Sequence, residues 1–292
     1  MVSVMSKLKK TSIKVSDIAA QYWCERQMEL NYLYGAKITK EIKKGKAIHE
    51  ALEGEANVPI MLQPRSYADS IYKSMYTSYV SLSSLREKGK AREIQIYGSI
   101  NGYKMVGRID QLEIDKGDVL IVEDKTKANG RVPSDAQLSI NKAQLLIYRK
   151  MLEDIAARSY GIENFNSAYQ INKLVLSEEF MRQMEAIGVE SRLREINAMA
   201  SAFFKAYLDL GRLSDRVRIR YIDQSTHDEI GIYNFDYNKN EVNDIITYVL
   251  KYWNGECESR PVAEQEKWKC KFCAFFGKEC KVYWPQKGLN VT

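Results

Sequence analysis

From Arg92 to Thr126 the hydrophobic period falls to two, and two tight-turn signals divide the stretch into three runs. They are "REIQIYGSI" (92–100), "YKMVGRIDQLEI" (103–114) and "VLIVEDKT" (119–126). Asn101-Gly102 is a strong two-residue hairpin signal, and "DKGD" (115–118) supplies a second turn. Three consecutive antiparallel strands follow, and the turns set their register. Pairing Asp115 with Asp118, or Ile114 with Val119, puts Asp110 opposite Glu123 and Arg108 opposite Lys125. Pairing Ile100 with Tyr103 puts Glu93 opposite Asp110. A bulge in either hairpin would shift this by one residue and reverse the facing.

A row of Glu93, Asp110 and Glu123 across three strands is costly, because like charges directly opposite one another destabilise a sheet. Such a row calls for a proton, a cationic side chain or a bound metal. Arg108 and Lys125 are the cations at hand. An all-oxygen set also suits a hard divalent ion such as magnesium or manganese. Lys125 lies two residues beyond Glu123 and so projects from the same face. An ammonium there can stabilise a developing anion or position an attacking water. Asp110, Glu123 and Lys125 are together suited to metal-assisted hydrolysis of a phosphodiester.

Helical spacing surrounds this core. Helices are expected over 16–35, 41–57 (carrying His49), 135–161 and 240–256, with a long helical stretch from Ser177 to about Leu210. Residues 66–90 place Tyr67, Tyr72, Tyr76 and Tyr79 at roughly helical intervals, read as a packing stripe. A short strand is expected near 168–177 and another hairpin over 216–237. No internal repeat or low-complexity linker divides the 292 residues, which favours one α/β body.

A net charge of +6 permits a polyanionic partner without requiring one. No apolar run approaches transmembrane length and no secretory signal is visible, so no membrane role and an intracellular, cytoplasmic location are expected. An organelle or the nucleus stays open, since the opening "MVSVMSKLKKTSIKV" is basic and free of acids. Five cysteines without a secretory signal favour metal ligation over a disulfide framework. Cys270-X-X-Cys273 and Cys280 offer three soft ligands, and Cys24 can add a fourth from the first helix. Zinc and an iron–sulfur cluster both accept four thiolates. Cys257 falls outside this set and reads as a free thiol.

"GRID…VEDK" resembles the core of the PD-(D/E)XK nucleases, with Asp110 at the first acidic position and Glu123 and Lys125 as the (D/E)XK element. "KGKAIHE" with His49, and "QLLIY" with Gln144 and Tyr148 one helical turn apart, resemble the RecB-like branch. The surroundings of Cys24 ("YWCERQMELNYLYG") and the tail "EKWKCKFCAFFGKEC" are similar to its iron–sulfur members, and above all to the exonuclease V family. The resemblance implies a restriction-endonuclease-like α/β fold, a central mixed sheet flanked by helices, in one nuclease domain spanning 1–292. Its core would be 92–177, with helical embellishments at 55–90 and 177–256 and a cluster segment formed by 16–35 with 257–284. It implies a [4Fe–4S] cluster on Cys24, Cys270, Cys273 and Cys280. It also implies a magnesium or manganese ion on Asp110, Glu123, His49 and the main-chain carbonyl of Asp124. Lys125 would assist the attacking water, and Gln144 and Tyr148 would position the strand. The implied activity is 5′-to-3′ exonuclease action on single-stranded DNA in repair or processing, by a monomer working beside single-strand-binding or other repair proteins. A CRISPR-associated RecB-like nuclease, a non-catalytic iron–sulfur DNA-binding module and a zinc-loaded cysteine site are the competing readings.

Overall fold

The computed structural model describes residues 3–37, 43–45, 47–48, 61–127, 130 and 132–283. The chain opens with α1 (Val4–Lys7), β1 (Ile13–Lys14) and α2 (Val15–Tyr34), and continues with α3 (Tyr67–Ser83) and α4 (Leu85–Lys88). Strands β2 (Lys90–Ile100), β3 (Tyr103–Asp115) and β4 (Asp118–Lys127) follow. Then come α5 (Asp135–Ala156), α6 (Ile162–Tyr169), α7 (Glu178–Ala186), α8 (Ile196–Leu208), β5 (Leu213–Asp223), β6 (Glu229–Asp236) and α9 (Lys239–Trp253). The 41–57 helix and His49 fall largely outside the described residues, although 43–45 and 47–48 are helical.

Both hairpins signalled by tight turns form, as does the one expected over 216–237. Asn101 (φ +47°) with Gly102 (φ +83°), and Lys116 (φ +54°) with Gly117 (φ +90°), adopt two successive left-handed residues, as type I′ turns require. Ile100 pairs with Tyr103 and Asp115 with Asp118. One mixed six-stranded sheet results: β4 pairs parallel with β5, and β5 antiparallel with β6. The sheet therefore draws in 213–236, beyond the 92–177 core expected from sequence. Helix α5 packs across β2, β4 and β5 and against α2, while α3 lies on β2 and against α8.

Two expectations fail. The strand near 168–177 is instead the end of α6 and a 3-10 turn at Ile171–Lys173, after Gln170 turns left-handed (φ +52°). Its apolar residues serve an aromatic cluster rather than a sheet face. Phe165 and Tyr169 pack on Tyr97 at ring separations of 4.7 and 5.2 Å, while Val175 stays exposed. The long helix from Ser177 is broken into α7, a 3-10 turn at Ser191–Leu193 and α8, with Gly188 (φ +75°) reversing the chain after α7. The tyrosine stripe is core packing at Tyr72, which is fully buried, stacks on Tyr76 at 6.1 Å and meets Phe180 edge-on, whereas Tyr67 is exposed.

Candidate active site in a strand fork

Strand β2 occupies one edge of β3 from Tyr103 to Glu113. The other edge is shared: β1 takes Met105 and Val106, and β4 takes Gln111 to Asp115. The edge between them, residues 107–110, faces a fork where β4 has separated from β3. The register of the hairpin points Asp110 toward Glu123 as expected, but the ladder ends one pair earlier, at Gln111–Val122. A side chain replaces the missing main-chain bond, since the Asp124 N–H donates to Asp110 Oδ2 at 3.0 Å.

The rest of the fork is filled from α5. Gln144 Nε2 donates to Glu123 Oε1 at 2.7 Å, and Lys125 Nζ donates to the same oxygen at 2.5 Å. Lys125 also reaches Gln144 Oε1 at 3.4 Å. One turn further, the Tyr148 hydroxyl accepts the Arg108 N–H at 3.3 Å, covering the part of β3 that β4 leaves bare. The Tyr148 ring lies so close to β3 that a Cβ on Gly107 would meet Cε1 at 2.4 Å, with Val15 Cγ2 at 2.9 Å. Only glycine fits at the head of "GRID".

The acids are neutralised unequally. Arg108 pairs with Glu93 at 3.3 Å and Lys125 with Glu123, so Arg108 does not face Lys125 as the register suggested. Glu93 sits in left-handed backbone (φ +54°), and its pairing with Asp110 is skipped in the ladder. Asp124 turns to the opposite sheet face. There Arg92 Nη1 (2.8 Å) and a two-bond fork from Arg220 (2.8 and 3.0 Å) hold it. Burial alone would raise the Asp124 pKa, but these two arginines bring it below the ordinary carboxylate value. Asp110 moves the other way: burial, then the charge of Glu123, push it well above that value, with Lys125 only partly opposing them. Burial acts to lower the Lys125 pKa, and Glu123 and Asp110 together more than reverse this. Glu123 is 1% exposed, and among the described residues its Oε2 has no hydrogen-bond partner. A buried carboxylate oxygen without a donor is expensive, and this one fits an absent cation. Asp124 offers its main chain here while its carboxylate faces away. The hold of Arg92 and Arg220 on Asp124 was missed from sequence, although the alternating arginines of "RVRIRYID" mark one strand face.

Across the sheet edge, α2 is interrupted at Cys24 (φ −167°, ψ 109°). Cys24 acts as a cap for the second half of that helix, its Sγ accepting the Gln27 N–H at 3.4 Å. A helix start and an N–H bond both favour a thiolate, although burial, the larger influence, raises the Cys24 pKa. Cys24, Cys270, Cys273 and Cys280 line one recess, with Val262 and Phe276 among its apolar walls. Among the described residues no three His, Cys, Asp or Glu side chains converge closely enough to hold a single metal ion. The donor chemistry fits a thiolate-bound metal group all the same. Cys257 lies apart, packed against the main core.

Buried polar bonds close the two chain ends into a clasp. Glu25 takes three bonds from Arg260: from its N–H at 2.9 Å, Nε at 3.0 Å and Nη2 at 2.7 Å. Glu29 accepts from Ser259 (2.5 Å), Lys7 (2.6 Å) and Tyr252 (3.0 Å). Gln21 accepts from Trp253 Nε1 at 2.8 Å.

Among the described residues no helix is long and apolar enough to cross a membrane. A family model described as exonuclease V, a 5′ deoxyribonuclease, matches residues 3–119, 113–205 and 190–283. Exonuclease V of Danio rerio is 26% identical over 284 residues, covering 94% of this chain and 71% of that protein. The crystal structure of SSO0001 aligns with a TM-score of 0.45 at 14% identity, covering 92% of this chain and 90% of the other. The family match runs through both the strand fork and the clasp, and the chain belongs to the exonuclease V family of deoxyribonucleases.

Proposed function

We propose that the fork is a divalent-metal site for 5′-to-3′ hydrolysis of single-stranded DNA, acting in DNA repair or processing. The observation that carries this reading is the unsatisfied Oε2 of buried Glu123, whose other oxygen takes Lys125 and whose charge is felt by the buried carboxyl of Asp110. Asp110 and Glu123 would hold magnesium or manganese with the Asp124 carbonyl; His49, the remaining expected ligand, lies outside the described residues. When bound, such an ion supplies Lewis acidity toward the phosphate and a more acidic water. Lys125 keeps its positive charge beside Glu123 and is placed to orient the attacking water or meet the developing phosphorane charge. Gln144 holds Glu123 and Lys125 in register, and Tyr148 secures the β3 main chain beside the site.

The four thiols are assigned to a [4Fe–4S] cluster whose role is structural. The support is four soft donors on one recess, with an N–H already placed on Cys24. Brown protein with broad visible absorbance after anaerobic purification is the expected result, and a colourless, zinc-loaded sample rejects the assignment.

End-labelled single and double strands incubated with magnesium, manganese or EDTA test the activity. Metal-dependent shortening of single strands from the 5′ end is expected, with D110A and K125A inactive. Equal cleavage by those variants, or none by the wild type, refutes the site.

A further inference from the structure

Beyond Lys125 the fork opens into a groove of about 320 Å³, lined by Trp23, Lys125, Lys127, Gln137, Asn141 and Tyr221. That volume lies at the low end of small-ligand sites. Its floor continues the fork. Gln137, Asn141, Gln144 and Tyr148 recur on α5 at intervals of four, three and four residues, which puts them on one face. The stripe that ends on Glu123 and Arg108 thus extends two turns outward as amide side chains. Asn141 Nδ2 donates to the Tyr221 hydroxyl at 2.7 Å, and Lys127 Nζ donates to Gln137 Oε1 at 2.6 Å and stands 5.9 Å from the Tyr221 ring centre.

Trp23, the residue before the break in α2, also lines the groove. It borders the cysteine recess as well. It is fixed on the recess side, where Trp268 meets it edge-on at 5.6 Å and Lys269 Nζ lies 4.8 Å from its centre. Packing of the clasp alone would account for a fully buried tryptophan. Trp23 is only half-buried, and it borders a groove lined by Ile140 together with amides, ammonium groups, a hydroxyl and a phenol.

We propose that this groove is the subsite for the nucleotide next to the scissile phosphate. Its base stacks on Trp23, and its sugar-phosphate meets Lys127 and Asn141. The proposal rests on the nuclease reading of the fork. Stacking on an indole accepts any base, so the subsite confers grip on the strand without sequence preference. It also gives the cysteine segment a part in substrate binding, because that segment holds Trp23 from behind.

The test uses the full chain in two backgrounds. In D110N, where strands stay intact, anisotropy of a labelled thymidine oligonucleotide reports affinity. W23A should weaken binding roughly tenfold, the scale of one lost base–aromatic stack, and W23F should restore most of it. N141A, on the wall away from the clasp, should weaken binding severalfold even if W23A fails to fold. With Asp110 intact, both variants should raise KM more than they lower kcat. If a folded W23A, or N141A in its place, binds and cuts like wild type while wild type remains active, the subsite is overturned and the nuclease reading survives. A wild type that cuts nothing overturns the nuclease reading. Strand binding weakened by W23A would then still support the groove, and unchanged binding would overturn it too.

Discussion

The strand fork and the clasp both bury acids, but they satisfy them differently. In the clasp, Glu25 and Glu29 each take four hydrogen bonds, so their charge is matched by Arg260, Gln21, Lys7, Arg26 and two hydroxyls. Asp124, at the edge of the fork, is treated in the same way by Arg92 and Arg220. Glu123 is not. Lys125 and Gln144 meet its Oε1, and its Oε2 has no donor among the described residues. The saturation of Glu25, Glu29 and Asp124, set against the unmet oxygen of Glu123, is the contrast on which the proposed metal site rests. The carboxylates of the clasp are saturated before its thiols are considered, although Arg26 Nε lacks a partner among the described residues; the fork leaves a carboxylate oxygen short.

The largest effect should come from removing charge at the fork. D110N keeps an acceptor for the Asp124 N–H while ending the repulsion with Glu123. Cleavage of single strands should fall by about 10²- to 10³-fold or more, the scale of losing one preorganised electrostatic group. The melting temperature should hold or rise. A variant that melts early would mean that Asp110 is a structural acid like Glu25, and the contrast between the two regions would collapse.

Next is the converse change in the clasp. R260A takes the guanidinium from Glu25, which is 1% exposed, at the junction of the two chain ends and leaves its charge unpaired. Breaking a buried pair from one side costs about 3–5 kcal/mol, which lowers the melting temperature by roughly 10 °C. Methionine at both positions should recover much of that loss, because no charge is then left buried. Activity measured well below the transition should remain. Cleavage lost in proportion to D110N would show that the clasp acts directly on chemistry.

These contrasts were only partly legible in sequence, and sequence distance explains which part. The hairpins and their register follow from residues two to twenty apart, so Asp110, Glu123 and Lys125 could be brought together from the turns alone. The end of the ladder at Gln111–Val122 was not readable, because a side-chain bond from Asp110 replaces a main-chain one. Nor was the place of β5, whose parallel pairing with β4 spans the whole of α5 to α8. Cys24 could be grouped with the tail by count and chemistry. Trp23 could not be placed, since its neighbours Trp268 and Lys269 are more than two hundred residues away.

A smaller effect should follow G107A, which sets a methyl group against the Tyr148 ring. Overpacking of this kind costs about 1–3 kcal/mol. The ring must retreat along α5, carrying the hydroxyl away from the Arg108 N–H. Cleavage should drop more than stability alone explains, and G107A with Y148F should lose little beyond G107A. Independent, additive losses would separate the glycine from Tyr148.

The smallest effect probes whether the clasp is as saturated as its geometry states. Burial pushes the Glu29 pKa up, but the bonds from Lys7, Ser259 and Tyr252 outweigh it and hold the carboxyl below its ordinary value of 4.5. A carboxyl depressed in the folded state binds fewer protons there than in the unfolded chain. Its stabilisation is therefore complete above the unfolded pKa and is lost as pH falls through the folded one. Melting curves of wild type and E29Q should differ most near neutral pH and converge below about pH 4. A constant difference across that range would mean that Glu29 contributes by shape and neutral hydrogen bonds alone. Among the described residues the charge-dependent ties between the chain ends would then be the buried Glu25–Arg260 pair and the Arg26–Glu258 pair, whose acid is exposed.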